Sequence, residues 1–167
     1  MRPNILILQG SPRPHGNTAT FLCPFEEELQ ASGANVETVF LYDKTIAPCD
    51  ACWSCQNVAD AYGCPKEDDM QAIFQSVRDC DVLVLATPIY TWYCTPPMKA
   101  VLDRFYGMNK YYGSAPLQRL WEGIRIAIVA TCGYDIPYGT EPFETGIRRL
   151  CEHSRIPYLG MLAERDL

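Results

Sequence analysis

Short apolar runs alternate along the chain with segments in which apolar residues recur at helical spacing. The apolar runs predict five strands, over residues 5–8, 35–41, 81–86, 124–130 and 158–162. The patterns between them predict four helices, with the stripes Leu22-Phe25-Leu29, Met70-Ile73-Phe74-Val77, Met98-Val101-Leu102-Phe105 and Phe143-Ile147-Leu150-Cys151. Pro24 lies inside the first helical pattern, so we expect that helix to start late or to bend there.

Strands that alternate with helices and are apolar throughout predict a parallel sheet covered on both faces. Because crossovers are right-handed, we expect one doubly wound α/β domain over residues 1–167, with strand order 2-1-3-4-5. That order opens a crevice between strands 1 and 3 at their carboxyl ends, where such sheets bind ligands. The closing helix of this architecture is absent after strand 5. We expect either that it lies outside this sequence or that another subunit covers the exposed face.

The composition describes an ordinary globular protein with a modest excess of negative charge. Of its residues 48% are hydrophobic, and 20 acidic against 14 basic residues give a formal charge of −6. A nucleic-acid surface needs a clustered excess of Lys and Arg, so we expect no nucleic-acid partner. No apolar run is long enough to cross a membrane, and the apolar run after the first four residues is too short for an export signal. We therefore expect a cytoplasmic protein with no membrane partner.

The chain contains nine cysteines, an odd number, and shows no export signal, so metal, cluster or redox chemistry is favoured over disulfides. Four lie in the segment 42–66 with the spacing C-x2-C-x2-C-x8-C: Cys49, Cys52, Cys55 and Cys64. Compact triads of this kind can hold three corners of a [4Fe–4S] cluster, with a fourth Cys further away. Zinc and reduced thiols in a loop are the alternatives. We expect the others to be small buried hydrophobic residues: Cys23, Cys80, Cys94, Cys132 and Cys151.

The first of three loops at the predicted crevice joins strand 1 to helix 1 and runs from Gly10 to Thr18. A helix amino terminus offers free amides and a partial positive charge, which suits a phosphate. Ser11 and Asn17 add short hydrogen-bonding groups, and Arg13 can supply a full positive charge. The alternative is an ordinary turn in which Asn17 or Thr18 caps the helix. The loop has neither the Walker A pattern nor the dinucleotide-binding glycine pattern.

The other two loops follow strands 3 and 4. Residues 87–93 include Tyr90, Trp92 and Tyr93, which would either stack on a planar ligand or form a subunit contact. Residues 131–135 include Gly133, where a ligand can approach the backbone closely, although a tight turn would also use glycine. Together the three loops predict a phosphate at one end of the crevice and a flat aromatic group at the other.

Three motifs occur in order along the chain. They are G-S-P-R-x-x-G-N-T after strand 1, A-T-P-I-Y with P-P-M-K-A-V-L-D-R after strand 3, and the cysteine segment ending in G-C-P-K-E-D-D-M. Over nearly the whole chain these motifs resemble the NADPH-dependent FMN reductase group of flavodoxin-like proteins. Within that group they resemble the iron–sulfur flavoproteins, which space the last cysteine more tightly.

This resemblance implies a set of residues that would bind FMN. The phosphate would be held by Ser11, Arg13, Asn17 and Thr18, with Gly16 in the same loop. The ribityl chain and isoalloxazine ring would be lined by Pro88, Ile89, Tyr90 and Trp92, with Thr131, Gly133 and Tyr134 on the ring's other side. The cluster ligands would be Cys49, Cys52, Cys55 and Cys64. His15 is not a motif residue, and we expect it to be exposed.

The resemblance implies an FMN-dependent oxidoreductase that accepts hydride from NAD(P)H. It would pass electrons to a small acceptor, a flavin or quinone, or to an adjacent [4Fe–4S] cluster. No catalytic acid or base is nominated, because the flavin supplies the chemistry. The alternative is a non-enzymatic electron carrier that binds FMN and serves ferredoxin-like protein partners. We expect a homodimer or homotetramer, since aromatic loops and one sheet face are left exposed.

Overall fold

The computed structural model describes residues 2–110 and 118–166. Its strands are β1 (Asn4–Gln9), β2 (Asn35–Phe40), β3 (Val82–Pro88), β4 (Asn109–Lys110), β5 (Gln118–Arg119), β6 (Arg125–Cys132) and β7 (Tyr158–Arg165). Its helices are α1 (Asn17–Ala31), α2 (Met70–Asp79), α3 (Pro96–Arg104) and α4 (Ile136–Ser154), with 3-10 turns at Leu41–Asp43, Ser54–Asn57 and Phe105–Met108. Across these two ranges, no helix combines the length and the apolar character that a membrane crossing requires.

Five strands form one parallel sheet in the order β2-β1-β3-β6-β7. Since β6 and β7 are the fourth and fifth predicted strands, the predicted order 2-1-3-4-5 is confirmed. The antiparallel pair β4–β5 was not predicted, because strands of two residues are too short to show an alternating pattern.

Apolar side chains form a core on each face of the sheet. The larger core lies under α2, α3 and α4, and the smaller one lies under α1 around Ile7, Val84 and Val129. Leu162 pairs in register with Val129 and is exposed. Apolar surface therefore continues along the α1 face as far as β7, at the place where the sequence predicts an uncovered face.

Two expectations about the first helix are corrected or refined by the structure. The helix begins at Asn17, so a late start is wrong, and Pro24 lies within it at an exposed position. An exposed position tolerates proline because the carbonyl left without its helical partner faces solvent.

Cys23 is exposed beside Pro24, so its expected burial is wrong, whereas burial is confirmed for Cys80, Cys94, Cys132 and Cys151.

Candidate functional site

The amino end of α1 opens onto the first predicted loop. Gly16 is the capping residue, and within the described residues no side chain makes a capping hydrogen bond to this helix. A side-chain cap from Asn17 or Thr18 is therefore not observed. The first-turn amides of a 15-residue helix remain available to an anion, with the positive end of the helix dipole behind them.

Ser11 and Arg13 shape the loop in front of that helix end. Ser11 is only 3% exposed, and its hydroxyl lies 3.2 Å from the amide nitrogen and 3.1 Å from the carbonyl oxygen of Arg13. The Arg13 side chain is exposed and packs over Gly16, where an added Cβ would come within 3.0 Å of the Arg13 Cβ. Glycine thus lets the arginine lie across the loop. His15 is exposed, as predicted.

Thr95, which precedes α3, joins the first loop to the end of β3. Its hydroxyl donates to the Gly10 carbonyl at 2.6 Å, and its amide donates to the Thr87 hydroxyl at 3.4 Å. The Gly10 amide in turn donates to the Ala86 carbonyl at 2.7 Å. Sequence reasoning missed Thr95 and Thr87, although a threonine just before Pro96-Pro97 is a recognisable helix-start signal.

Gly10→Ala is expected to lower the free energy of unfolding by about 1–3 kcal/mol, because the new methyl overpacks this junction. Its Cβ would lie 2.9 Å from the Thr95 hydroxyl and 3.1 Å from the Met98 Cβ. Gly133→Ala is the matched control, since a Cβ there meets nothing within 4 Å and should change stability by less than about 0.5 kcal/mol. Urea unfolding measures both, and equal stabilities would contradict the tight packing at Gly10.

The second loop forms a tight turn in which Tyr90 and Tyr93 exchange backbone hydrogen bonds of 2.8 and 3.1 Å. Thr91 and Trp92, at its tip, both have left-handed backbone conformations, with φ of 52° and 61°. Two residues other than glycine in this region store strain, and such strain clusters in ligand-binding loops. Trp92 therefore lies at the tip of the turn that follows β3.

Trp92 packs against two tyrosines from the third loop and from α4. Its ring stacks on Tyr134 with centroids 5.4 Å apart, and Tyr138 meets both rings edge-on. Tyr134 and Tyr138 are both more than half exposed. Sequence reasoning missed Tyr138, although its place one helical turn after Tyr134 would have suggested a shared surface.

Direct hydrogen bonds connect the three loops. The Ile89 amide donates to the Thr131 carbonyl at 2.7 Å, which joins the second loop to the third. The hydroxyls of Thr18 and Thr131 lie 2.8 Å apart and are buried, which joins the first loop to the third. Residues predicted for the two ends of one ligand therefore meet at the carboxyl edge of β1, β3 and β6.

The four clustered cysteines line one cavity of about 320 Å³, which we call the cysteine cavity; they are Cys49, Cys52, Cys55 and Cys64. A Cβ on Gly107 would lie 2.9 Å from the Tyr62 ring and 3.3 Å from the Cys55 Cβ, so glycine lets the cysteine segment closely approach the 3-10 turn Phe105–Met108. None of the predicted FMN-binding residues is among the described residues that line this cavity. It is a second site, apart from the crevice.

The donor set of the cysteine cavity is four cysteines, the ligand type of both zinc and [4Fe–4S] centres. Within residues 2–110 and 118–166, no three His, Cys, Asp or Glu side chains are arranged to hold one metal ion. Zinc needs four ligands within about 2.0–2.3 Å of one centre, and a [4Fe–4S] cluster also needs its thiolates around one core, so the four cysteines would have to draw together to bind either. A [4Fe–4S] cluster takes four cysteine thiolates, the number of cysteines that line this cavity.

Arg104 and Asp68 form a buried ion pair beside the cysteine cavity. The Arg104 Nη2 also donates to the Cys64 sulfur at 3.3 Å, and its Nε donates to the Tyr62 hydroxyl at 3.1 Å. Burial acts to raise the pKa of Asp68, but hydrogen bonds from Arg104 and from the Ala47 amide outweigh it and hold that pKa below its usual range. The pair ties one cysteine to α3 and to the start of α2.

Burial and nearby polar groups have opposite effects on the pKa of the Cys55 thiol. Burial raises its pKa, whereas a hydrogen bond from Gln56 and the positive charge of Lys110 act to lower it. Binding of a metal or cluster requires the thiolate form. Burial outweighs the other two effects and leaves the pKa of Cys55 raised, so a bound metal or cluster would have to displace the thiol proton.

The strand order and the free helix end at the crevice together define the flavodoxin-like class of α/β proteins. Comparison with known families narrows this class. The family model of NADPH-dependent FMN reductases matches residues 3–136, and the chain belongs to that family. An iron–sulfur flavoprotein of Archaeoglobus fulgidus is 33% identical over 124 residues, which are 74% of this chain and 53% of that protein. The chain spans about half the length of the curated relatives it matches.

Solved structures agree on the fold. An FMN-dependent NADH-azoreductase of Bacillus anthracis, in complex with FMN, superposes with a TM-score of 0.70 at 16% identity, covering 97% of this chain and 87% of that one. The NAD(P)H:quinone oxidoreductase of Methanothermobacter marburgensis gives 0.68 at 18% identity, covering 99% and 86%. At these identities the likeness shows the fold alone, and the predicted flavodoxin-like fold is confirmed.

Proposed function

We propose that this chain binds FMN at the crevice and works as an NAD(P)H-dependent oxidoreductase. The observation that carries the proposal is the amino end of α1. It has no side-chain cap among the described residues, and Thr18 joins it to Thr131 of the third loop, which is in turn bonded to Ile89 of the second. Membership of the FMN reductase family supports FMN as the ligand of such an edge. The terminal monophosphate of FMN also supports this ligand, because a single helix amino terminus can bind one phosphate.

Each loop has a distinct task in this proposal. The amides at the start of α1 and the exposed Arg13 would bind the phosphate, and Ser11 would hold the loop in shape. Trp92 and Tyr134 stack on each other, so the outer face of either ring would be the one that packs against a planar ligand. FMN, when bound, supplies hydride acceptance and the release of electrons singly or in pairs.

The exposure of the aromatic loops favours a small electron acceptor. Tyr90, Tyr134 and Tyr138 all face solvent at the carboxyl edge of the sheet. A nicotinamide and then a second small molecule, such as a flavin or quinone, could reach a ring bound beside them. The cysteine cavity adds a second acceptor in this proposal, a [4Fe–4S] cluster held by the four cysteines that line it.

Anaerobic mixing with NADPH or NADH tests this function. The protein loaded with one FMN per chain should lose the oxidised flavin absorbance in a single two-electron phase. Turnover with a quinone or free flavin should then run at ordinary enzyme rates, on the order of 1–1000 per second. A protein that fails to quench FMN fluorescence would end the proposal.

The cysteine cavity favours a second candidate function, a non-enzymatic electron carrier. A site for a one-electron centre in the same chain as a flavin permits exchange with ferredoxin-like proteins. In that case neither NADH nor NADPH should bleach the bound flavin, while reduced ferredoxin should do so rapidly. The same rapid-mixing experiment therefore separates the carrier from the reductase.

A further inference from the structure

Lys110 is fully buried against the cysteine segment. Its ammonium donates to the Cys55 carbonyl at 2.8 Å and to the Tyr62 carbonyl at 2.9 Å. These two residues bracket the stretch between the third and fourth cysteines. Next to it, the Gln56 side-chain amide donates to the Asn109 carbonyl at 2.8 Å. Through these hydrogen bonds the short strand β4 holds residues 55–62 in place.

The positive charge of Lys110 has no carboxylate partner within the described part of the chain. The other buried cation here, Arg104, is paired with Asp68, whereas no ion pair of Lys110 is present among residues 2–110 and 118–166. Two carbonyls solvate an ammonium only in part, and a buried charge without a counter-charge is costly. Lys is almost never fully buried unless it is paired.

A thiolate at Cys55 is the candidate for the missing negative charge. Cys55 lines the cysteine cavity, and its own carbonyl accepts from the Lys110 ammonium. Four thiolates around a [4Fe–4S] core leave a net negative charge on the site, and one-electron reduction adds another. A fixed positive charge behind Cys55 favours both the bound cluster and its reduced state.

We propose that Lys110 is a positioning residue for an anionic cluster held by the four cysteines. Its hydrogen bond to the Cys55 carbonyl sets the position of that cysteine, its hydrogen bond to Tyr62 holds the chain that follows, and its charge raises the reduction potential of the cluster. This inference rests on the proposed cluster site. It requires no further oxidant or reductant, because a dithionite titration supplies the single electron that the cluster accepts.

Lys110→Met and Lys110→Gln separate the charge from the hydrogen bonds. Met removes both, whereas Gln removes the charge and keeps an amide donor. Lys44→Met is the control, because it removes an equal charge from an exposed position in the segment 42–66 that contains the cysteines. Each protein is reconstituted anaerobically with ferrous iron and sulfide, assayed for both, and titrated with dithionite under electron paramagnetic resonance.

The expected result is a more negative midpoint potential in both Lys110 variants and an unchanged potential in Lys44→Met. Lys110→Met should in addition retain less iron and sulfide per chain than Lys110→Gln, because Cys55 loses its anchor. FMN fluorescence quenching serves as the folding check, since the residues that line the cysteine cavity are separate from those of the crevice.

Three outcomes would overturn the inference, and they can be told apart. Parent potentials in both loaded variants would leave Lys110 a purely structural residue and the cluster site intact. Loss of FMN binding in both variants would assign the lysine to folding alone. A parent protein that is reduced by NADPH but holds no iron or sulfide would remove the cluster from the proposed function, and this inference with it.

Discussion

Asp68→Asn is expected to lower the free energy of unfolding by about 3–5 kcal/mol, because it leaves the Arg104 guanidinium buried without its counter-charge. The two side chains are only 6% and 1% exposed. Asp68 also accepts from the amides of Ala47 at 2.9 Å and Met70 at 3.2 Å, so one carboxylate joins the cysteine segment, α2 and α3. A neutral amide has one acceptor oxygen and cannot replace all three contacts.

Urea unfolding at neutral pH measures this loss. The matched control is Asp50→Asn in the same segment, whose ion pair with Lys66 is open to solvent and should contribute far less. A loss for Asp68→Asn no larger than that of the control would show that the buried pair adds nothing beyond a surface pair.

Acid should remove the difference between the parent and Asp68→Asn. Hydrogen bonds from Arg104 and Ala47 hold the pKa of Asp68 below its usual range despite burial, so the folded state favours the carboxylate more than the unfolded state does. The resulting stability is fully present above the unfolded pKa, about 3.9 for an aspartate, and is lost as the pH falls through the lower folded pKa. Unfolding curves between neutral and acid pH should therefore converge.

Arg13→Ala is expected to weaken FMN binding by roughly one to two orders of magnitude. Loss of a charge-assisted contact to a phosphate costs about 1.5–3 kcal/mol. The side chain is exposed, so the apoprotein should unfold at nearly the same temperature as the parent. Fluorescence titration of FMN gives the affinity, and thermal unfolding without FMN gives the stability.

Arg2→Ala is the control for general electrostatics. Arg2 is also exposed, but it precedes β1 at the opposite edge of the sheet from the crevice, so its removal should leave FMN affinity almost unchanged. Affinities that are equal in the parent and Arg13→Ala would show that the arginine does not reach the phosphate, and the helix amides would then carry that contact alone.

Periodicity alone was enough to predict the sheet and its helices. β1, β3 and β6 are buried on both faces, so their sequences are apolar throughout, and the right-handed crossover rule leaves one natural order for five such strands. The loop that we propose for the phosphate could also be located between β1 and α1, because its residues are consecutive and follow a strand directly. These features depend on residues that are close together in the sequence, so the hydrophobic pattern and the loop composition are enough to predict them.

The tertiary structure alone decided which polar side chains are buried and what they contact. Thr18 meets Thr131 across 113 positions, Arg104 meets Asp68 across 36, and Lys110 reaches Tyr62 across 48. No periodic pattern marks such pairs, since each depends on a single side chain and on how distant elements pack. The sequence by itself determined the flavodoxin-like sheet and the loops at its edge. Long-range packing decided that Lys110 lies buried next to Cys55 with no carboxylate partner among the described residues. The reason is that the burial of a charged side chain depends on the elements packed around it, and not on its neighbours in sequence.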